Sequence, residues 1–272
     1  MDSLPSDATF TGAIPEIYDR WLVPMIFAGA ADDLARRVAA LGPSGVVETA
    51  AGTGVLTRAL ARALPAQVAI DATDLNPAML AHAAAVGTAR PVRWQPADAG
   101  RLPFADGHAD VVACQFGVMF FPDKRAAFAE ARRVLRDGGT FLFSVWDRIE
   151  ENAFAAVVEA ALGGVFPADP PRFIGRTPHG CFDLAAIAAD LAGAGFGATP
   201  QFDTVAARSR AGSAAQAAAA YCQGTPLRGE IERRGGPSLA EATAVVAAAL
   251  AARFGHGEID GPIRSHVIAV RR

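Results

Sequence analysis

The residues best suited to chemistry are a glycine-rich bend and an acid that follows it. The run Ala51-Gly52-Thr53-Gly54 comes after a short apolar stretch and before a helical pattern. Residues without a bulky Cβ let a ligand press against bare backbone. Asp74 lies 20 positions after Gly54, where a carboxylate accepts hydrogen bonds from a ribose diol. This spacing favours a nucleoside ligand over generic packing.

Two other nucleotide motifs fit this bend poorly. A nicotinamide fingerprint requires G-x-G-x-x-G, and reading from Gly52 places Thr57 where the third glycine belongs. A phosphate-binding Walker loop requires Gly-Lys-Ser/Thr, which the sequence lacks. An NAD(P)-dependent oxidoreductase therefore stays a weaker alternative.

The elements around the bend alternate between strand and helix patterns. Strands are predicted at 67–73, 92–95, 110–115 and 140–146, and helices from Pro77 and over 123–135, with a turn at Asp137-Gly138-Gly139. Such alternation predicts a parallel sheet that is covered by helices on both faces.

The signal is weaker after Trp146. Helices are predicted at 152–162, 184–191, 213–221 and 239–253, and strands at 201–207 and 263–270. The stretch 165–182 contains four prolines, which disfavour strand and helix interiors. We interpret it as an irregular insertion over the site, so one domain with a small cap is the simplest account.

Composition narrows the function classes. The 272 residues are 51% hydrophobic and 19% charged, with a net charge of −3, which suits a globular protein with a sizeable core. The mildly acidic balance argues against nucleic acid as a partner. Because only one of the 25 basic residues is lysine, codon usage of a GC-rich bacterial genome is indicated.

The cysteines and the first residues bear on location. Cys114, Cys181 and Cys222 are odd in number and widely spaced, which fits neither a disulfide framework nor a C-x-x-C metal site. The sequence starts without a basic and apolar leader, and it contains no apolar run long enough to span a membrane. We expect a cytoplasmic protein without a metal.

Four segments together resemble the class I S-adenosylmethionine-dependent methyltransferases, and within them the ubiquinone and menaquinone C-methyltransferase group. The resemblance covers roughly residues 18–146. The four segments begin with the bend Glu48-Thr49-Ala50-Ala51-Gly52-Thr53-Gly54, and the others are Asp74-Leu75-Asn76-Pro77-Ala78-Met79-Leu80, Ala97-Asp98-Ala99 with Leu102-Pro103-Phe104, and Gln115-Phe116-Gly117-Val118-Met119-Phe120. Val134-Leu135-Arg136-Asp137-Gly138-Gly139 is similar to the family's turn into the fifth strand.

The resemblance implies an α/β, Rossmann-like, doubly wound fold. Its sheet is seven-stranded and mostly parallel, with an antiparallel edge strand and a small cap insertion. It implies a single methyltransferase domain over 1–272. Within that domain we expect an N-terminal helical segment at 1–44, a cofactor-binding core at 45–147, and cap or substrate-side insertions at 165–182 and 208–237.

The resemblance also implies S-adenosyl-L-methionine as cofactor and S-adenosyl-L-homocysteine as product. Asp74 would hold the ribose, Leu75 would pack on the adenine, Asp98 would accept from the adenine amine, and Tyr18 would bond the cofactor carboxylate. The full set of expected cofactor-binding residues is Tyr18, Glu48, Ala50, Gly52, Gly54, Asp74, Leu75, Met79, Ala97, Asp98, Ala99, Gln115 and Phe116.

Several of these residues have plainer alternatives. Ala50 stands where the family has its first glycine, and its methyl group should be accommodated if φ stays negative. Asp98 can instead cap the turn at Ala99-Gly100. Glu48 can instead be a buried acid that is bonded to amides of the bend.

The expected partner is a small-molecule acceptor with an O, C or N nucleophile, bound by a monomer or homodimer. Positioning carries most of the catalysis, because the cofactor already holds an activated methyl group. If the acceptor is a hydroxyl, a base such as His179 or Tyr221 would take its proton. His179 is the predicted catalytic residue, and a non-catalytic nucleoside-binding module is the alternative function.

Overall fold

A seven-stranded sheet in the order β3-β2-β1-β4-β5-β7-β6 organises the computed structural model, which describes residues 7, 12 and 14–272. The strands are Gly45–Glu48 (β1), Ala69–Asp74 (β2), Arg93–Pro96 (β3), Ala109–Gln115 (β4), Leu135–Trp146 (β5), Gln201–Ala211 (β6) and Ile259–Arg271 (β7). β1 pairs in parallel with β2 and β4, β2 with β3, and β4 with β5. The mostly parallel, Rossmann-like sheet with one antiparallel edge pair is confirmed.

The described chain also contains eleven α-helices. They are Ile14–Ile17 (α1), Ala28–Ala40 (α2), Val55–Ala63 (α3), Pro77–Val86 (α4), Lys124–Val134 (α5), Ala153–Val165 (α6), Phe173–Arg176 (α7), Leu184–Gly193 (α8), Ala214–Gln223 (α9), Leu227–Arg233 (α10) and Leu239–Phe254 (α11). A π-helix spans Tyr18–Phe27, and 3-10 turns lie at Val118–Phe120 and Ile149–Glu151. Among the described residues, no helix is long and apolar enough to cross a membrane.

Local sequence explains where the helices near the bend begin. α4 starts at Pro77 as predicted, because Asn76 caps it by accepting a hydrogen bond from the Ala78 amide at 3.0 Å. α5 is capped in the same way by Asp123. α3 starts directly after Gly54, whose φ is +82°, so a left-handed glycine lets the chain turn from bend to helix.

The two faces of the sheet bury different side chains. On one face, Val46 and Leu142 belong to a cluster with residues of α2 and α3 such as Leu34 and Leu60. On strand β5, Phe141 and Phe143 alternate with Leu142 and pack against Phe128 of α5. This alternation confirms that helices cover both faces of the sheet.

The chain forms two compact units. One comprises Gly29–Val145, Cys181–Val205 and Ser265–Arg272, and it contains the glycine bend. The other comprises Met1–Ala28, Trp146–Gly180 and Ala206–Arg264, and within it α11 packs against α9 and α6. We call these the sheet unit and the helical unit.

Two local predictions are wrong, and one helix was not predicted. The stretch 165–182 contains the one-turn helix α7 between its prolines, since the four residues of Phe173–Arg176 include no proline. The predicted turn at Asp137-Gly138-Gly139 lies inside β5, which starts at Leu135 because Leu135 pairs with Ala109 before a shift in register. Helix α10, near the end of the predicted insertion at 208–237, was not expected.

Candidate cofactor site

The glycine bend leaves β1 at the point where the order of the sheet reverses. β1 lies between β2, which follows it in sequence, and β4. In open α/β sheets, ligands bind in the crevice at the carboxyl ends of the strands at such a switch point. The topology therefore places the predicted bend where a ligand crevice is expected.

Backbone strain marks both sides of this crevice. Ala50 has φ +53° and Phe116 has φ +51°, and they are the two non-glycine residues with positive φ in the described chain. Ala50 follows β1 and Phe116 follows β4, and these strands are paired. Left-handed backbone costs a residue with a Cβ about 1–2 kcal/mol, and such strain concentrates at functional sites. The condition set for accommodating the Ala50 methyl group, a negative φ, is therefore not met.

Gly117 makes room for the methyl group of Ala50. A Cβ built on Gly117 would lie 2.4 Å from the Ala50 Cβ and 2.8 Å from the Cys114 Sγ, which is far inside van der Waals contact. Gly117, just after the neighbouring strand β4, thus leaves the space that the methyl group of Ala50 occupies. The strained backbone at the two strand ends is packed tightly together.

Asp74 turns its carboxylate onto the bend. Its Oδ2 accepts a hydrogen bond from the Gly52 amide at 2.8 Å, and its Oδ1 accepts one from the Asn76 amide at 2.7 Å. Burial raises the pKa of Asp74 above its usual value, and the two amide hydrogen bonds oppose that shift. The helix cap is Asn76 and not Asp74, so Asp74 is not needed to cap α4.

Apolar side chains surround the bend. The Met79 Cε lies 3.6 Å from where a Cβ of Gly52 would be, and a Cβ on Gly54 would lie 2.9 Å from the ring of Trp94. Leu75, directly after Asp74, is 47% exposed. A large apolar side chain exposed next to a polar bend offers a surface on which a flat ring can pack.

The structure gives Asp98 the plainer of its two predicted roles. Its Oδ1 accepts a hydrogen bond from the Gly100 amide at 2.8 Å, which caps the turn. Asp98 is exposed, and its neighbours Ala97 and Ala99 are half-buried. The Ala97 amide donates to the Asp74 carbonyl at 3.0 Å, so this segment, which follows β3, is bonded to the end of β2. The adenine contact stays a prediction.

Glu48 is bonded to Thr57 of α3, mainly through its hydroxyl and more weakly through its backbone amide, and not to amides of the bend. Its side chain is 1% exposed, and the Thr57 Oγ1 donates to its Oε2 at 2.6 Å. This contact explains why Thr57 stands where a nicotinamide fingerprint has its third glycine. Burial raises the pKa of Glu48 to about 8, and the Thr57 hydrogen bond opposes that shift.

Two buried hydroxyls near the crevice lack a hydrogen-bond partner within the described chain: the Thr53 Oγ1 in the bend and the Ser144 Oγ on β5. Ser144 is in register with Gln115 at the end of β4, and both side chains are buried. A buried hydroxyl without a partner costs about 1–3 kcal/mol. Together with the bare backbone of the bend and Asp74, these hydroxyls fit a polar ligand such as the expected cofactor.

Tyr18 and His179 lie in the helical unit. Tyr18 begins the π-helix and stacks on Phe27 with ring centroids 5.0 Å apart. Phe27 contacts Trp146 at 5.8 Å, and Trp146 contacts His179 at 6.2 Å. A continuous row of rings therefore runs from one predicted residue to the other.

His179 is held by a backbone carbonyl. Its Nδ1 lies 2.7 Å from the Asp147 carbonyl oxygen, and because a carbonyl only accepts, the Nδ1 carries the proton and the Nε2 carries the lone pair. Burial lowers the pKa of His179 to about 4, so the ring is neutral at pH 7. Burial raises the pKa of Tyr221 well above its usual value, so Tyr221 is a poor proton acceptor.

Sequence reasoning missed Thr57, Gly117 and Ser144. In the sequence Thr57 stands out only as a missing glycine, although a threonine nine positions after an acid can donate a hydrogen bond to it across the bend. Gly117 belongs to the segment Gln115–Phe120 that resembles the family, but its role depends on a contact with Ala50. Ser144 carries no signal at all in the sequence, since its burial and lack of a partner are tertiary facts. Among the described residues, no group of metal-ligating side chains is assembled.

Comparison with known proteins adds a family to this geometry. Residues 47–143 match a family model described as a methyltransferase domain. This segment is similar to a methyltransferase domain. It begins in β1 and ends in β5, so it includes the bend, Asp74 and the strained Phe116.

Two curated relatives align with part of the chain. A ubiquinone/menaquinone biosynthesis C-methyltransferase from Caulobacter sp. (strain K31) is 34% identical over 42% of this chain and 49% of its own length. A malonyl-[acyl-carrier protein] O-methyltransferase from Hahella chejuensis is 36% identical over 38% of this chain and 36% of its own length. The chain thus spans about half or less of the curated relatives it matches.

A solved structure extends the likeness beyond the methyltransferase domain. A Bacillus halodurans protein, described as a candidate methyltransferase, superposes with a TM-score of 0.57 at 19% identity, over 89% of this chain and 99% of its own. This match shows a shared fold.

Proposed function

We propose that this chain transfers a methyl group from S-adenosyl-L-methionine to a small-molecule acceptor. The observation that carries the proposal is the contact between the Asp74 carboxylate and the Gly52 amide, at 2.8 Å. It brings the acid and the bare-backbone bend into one crevice inside a methyltransferase domain. We propose that the whole chain, residues 1–272, acts as a single methyltransferase, with an N-terminal helical segment at 1–44 and cap or substrate-side insertions at 165–182 and 208–237.

Each part of the crevice has a proposed role toward the cofactor. The bend from Ala50 to Gly54 lies against the methionine end of the cofactor, and the buried Glu48 supports the bend through its bond to Thr57. Asp74 accepts from the ribose hydroxyls with the lone pairs that its two amide contacts leave open. Leu75 and Met79 pack on the rings, and Ala97, Asp98 and Ala99 border the adenine edge. Gln115 and Phe116 face the reacting end, and Tyr18 bonds the cofactor carboxylate.

The cofactor supplies an activated methyl group when it is bound, so the protein acts mainly by positioning and by excluding water. The acceptor must approach the methyl group in line with the breaking bond. Its nucleophile is an O, C or N atom, and the named relatives methylate at carbon in one case and at oxygen in the other.

His179 is the proposed base for an acceptor that carries a hydroxyl. Its Nε2 holds a lone pair and makes no hydrogen bond within the part of the chain that the structure describes. A neutral imidazole with this tautomer accepts a proton from a hydroxyl that donates to it. The Asp147 carbonyl keeps the ring in that tautomer.

The alternatives lose support in two places. A non-catalytic nucleoside-binding module was favoured only by Ala50, and Gly117 accommodates that residue. A nicotinamide oxidoreductase needs a third glycine where the buried Thr57 bonds Glu48.

We also propose that the protein is bacterial and cytoplasmic, which the three free thiols support. We propose that it acts as a monomer or homodimer, without nucleic acid or membrane partners.

Two measurements test the proposal. Tryptophan fluorescence titration with S-adenosylmethionine measures binding, and Trp94 beside Gly54 is a built-in reporter. Release of S-adenosylhomocysteine in the presence of a panel of phenols, carboxylates, amines and quinols measures transfer. We expect micromolar binding and turnover with at least one acceptor class. Tighter binding of NAD(P)H than of S-adenosylmethionine would overturn the assignment, and binding without turnover across the panel would favour the non-catalytic module.

A further inference from the structure

Glu48 has a carboxyl group whose surroundings do not stabilise a negative charge. Its side chain is 1% exposed, and Thr57 is the hydrogen-bond partner of its carboxyl among the described residues. The Thr57 hydroxyl and, more weakly, the Thr57 backbone amide stabilise the carboxylate, but both donors are neutral, and a carboxylate that is removed from water without a cation is strongly destabilised. By burial alone, Glu48 is expected to carry a proton in the ligand-free protein.

The charged and titratable groups on neighbouring elements do not reverse the effect of burial on Glu48. On β2, the Asp74 carboxyl adds a like charge, and on β4 burial raises the pKa of the Cys114 thiol to about 12, so the thiol stays neutral. On α3, Arg58 attracts the charge of Glu48 at a distance, and its Nη1 donates to the Thr53 carbonyl at 2.6 Å. Desolvation remains the dominant influence, and the pKa of Glu48 is raised to about 8.

Glu48 lies next to the bend against which the ligand is proposed to bind. It ends β1, two residues before the strained Ala50, and its Thr57 contact ties the start of α3 to that strand end. A positive charge that binds against the bend therefore enters a low-dielectric region beside a carboxyl group with no cation of its own in hydrogen-bond contact. In such a region, a nearby positive charge favours the ionised carboxylate.

We propose that Glu48 distinguishes the sulfonium cofactor from its thioether product by releasing a proton to solvent when the sulfonium binds. The balance is simple: the carboxyl O–H bond breaks, the proton leaves to buffer, and the resulting carboxylate compensates the charge of the sulfonium. The product has lost that charge with its methyl group, so Glu48 takes its proton back and the product is held less tightly. This inference rests on the proposed function.

The experiment is isothermal titration calorimetry with S-adenosylmethionine and with S-adenosylhomocysteine, in buffers of different ionisation enthalpy. At pH 7 we expect wild-type protein to release close to one more proton per site with S-adenosylmethionine than with S-adenosylhomocysteine. The affinity for S-adenosylmethionine should also increase as pH rises from 6 to 8, by at most about tenfold per pH unit. No methyl acceptor is needed for this readout.

Glu48→Gln is the decisive variant, because glutamine keeps an oxygen that accepts from Thr57 but cannot titrate. We expect it to bind both ligands and to lose the difference in proton release between them. The amino groups of the ligands also titrate, but they do so in both wild type and Glu48→Gln. Subtracting the proton release of the variant from that of wild type therefore cancels their contribution. Glu159→Gln is the matched control: burial also raises the pKa of Glu159, which lies in the helical unit, and this variant should keep the difference.

The outcomes separate this inference from the proposed function. If neither ligand binds wild-type protein, the proposed function is wrong. If both bind and the proton release is equal, or if the difference persists in Glu48→Gln, only the role of Glu48 is wrong. Should Glu48→Gln fail to fold, the pH dependence of the two wild-type affinities still decides, since equal slopes for the two ligands would overturn the inference.

Discussion

The methyl group of Ala50 occupies the space that a side chain on Gly117 would require, because a Cβ on Gly117 would lie 2.4 Å from the Cβ of Ala50. The two residues belong to the ends of neighbouring strands, and Ala50 and the residue before Gly117 are both strained. An alanine at one strand end is therefore compensated by a glycine at the other.

This relationship predicts non-additive effects of mutation. Ala50→Gly should raise the unfolding free energy slightly, by up to about 1 kcal/mol, because glycine removes the cost of left-handed backbone but adds chain entropy. Gly117→Ala should lower it by about 1–3 kcal/mol through overpacking. The double variant should recover part of that loss, with a coupling above about 0.5 kcal/mol. Urea unfolding measures all three, and purely additive effects would show that the two strand ends are not in contact.

Asp74→Asn should weaken the binding of S-adenosylhomocysteine. The substitution removes a charged acceptor for the ribose hydroxyls, so we expect a loss of about 1.5–3 kcal/mol, or roughly ten- to a hundredfold in Kd. Fluorescence or calorimetric titration measures the change. Asp71→Asn, on the same strand, is the control: Asp71 bonds Arg93 and His108, so this variant should lose stability while its Kd stays unchanged. Equal Kd values for wild type and Asp74→Asn would mean that the ribose lies elsewhere.

Glu48 should make the protein less stable as pH rises. Its pKa is raised in the folded protein to about 8 from a usual value of 4.5, so between these values the folded state holds a proton that the unfolded chain releases. The associated stability is present in full below pH 4.5 and is lost as pH rises to 8, at no more than about 1.4 kcal/mol per pH unit.

Urea unfolding of wild type and Glu48→Gln at pH 5, 6.5 and 8 measures this term. The variant should become relatively more stable than wild type toward pH 8. Glu258→Gln removes an exposed glutamate and serves as the control. A difference between wild type and Glu48→Gln that does not change with pH would contradict the burial of an uncharged carboxyl.

His179 should have the opposite effect on the pH dependence of stability, because it makes the protein less stable as pH falls. Its pKa is lowered in the folded protein to about 4 from 6.5, so between these values the unfolded chain takes up a proton that the folded state does not. The stability from the neutral, buried ring is present above pH 6.5 and is lost as pH falls to 4, by about 3 kcal/mol at most. His179→Asn keeps a donor for the Asp147 carbonyl and should reduce this loss, whereas the exposed His256→Asn should not. Thermal unfolding from pH 7 to 4 measures it, and identical acid sensitivity in both variants would exclude the role of His179.

The sequence was most informative where function depends on local pattern. The alternation of strands and helices predicted the sheet correctly, the Pro77 helix start is confirmed, and the predicted pairing of Asp74 with the bend is seen in its contact with Gly52. These features are local because backbone geometry and strand order constrain them within short stretches of chain. The one-turn helix α7 and the extension of β5 were missed because partners distant in sequence decide them.

What the sequence by itself determined is that a bare-backbone bend and an acid lie at neighbouring strand ends of an α/β sheet. Only the tertiary structure decided that Ala50 is left-handed, that Gly117 gives it room, and that Thr57 takes up one oxygen of Glu48. The same holds for the buried Ser144 hydroxyl and for the tautomer of His179. Strain, burial and hydrogen-bond partners arise from contacts between strand ends and helices that are far apart in the chain, and no residue carries them alone.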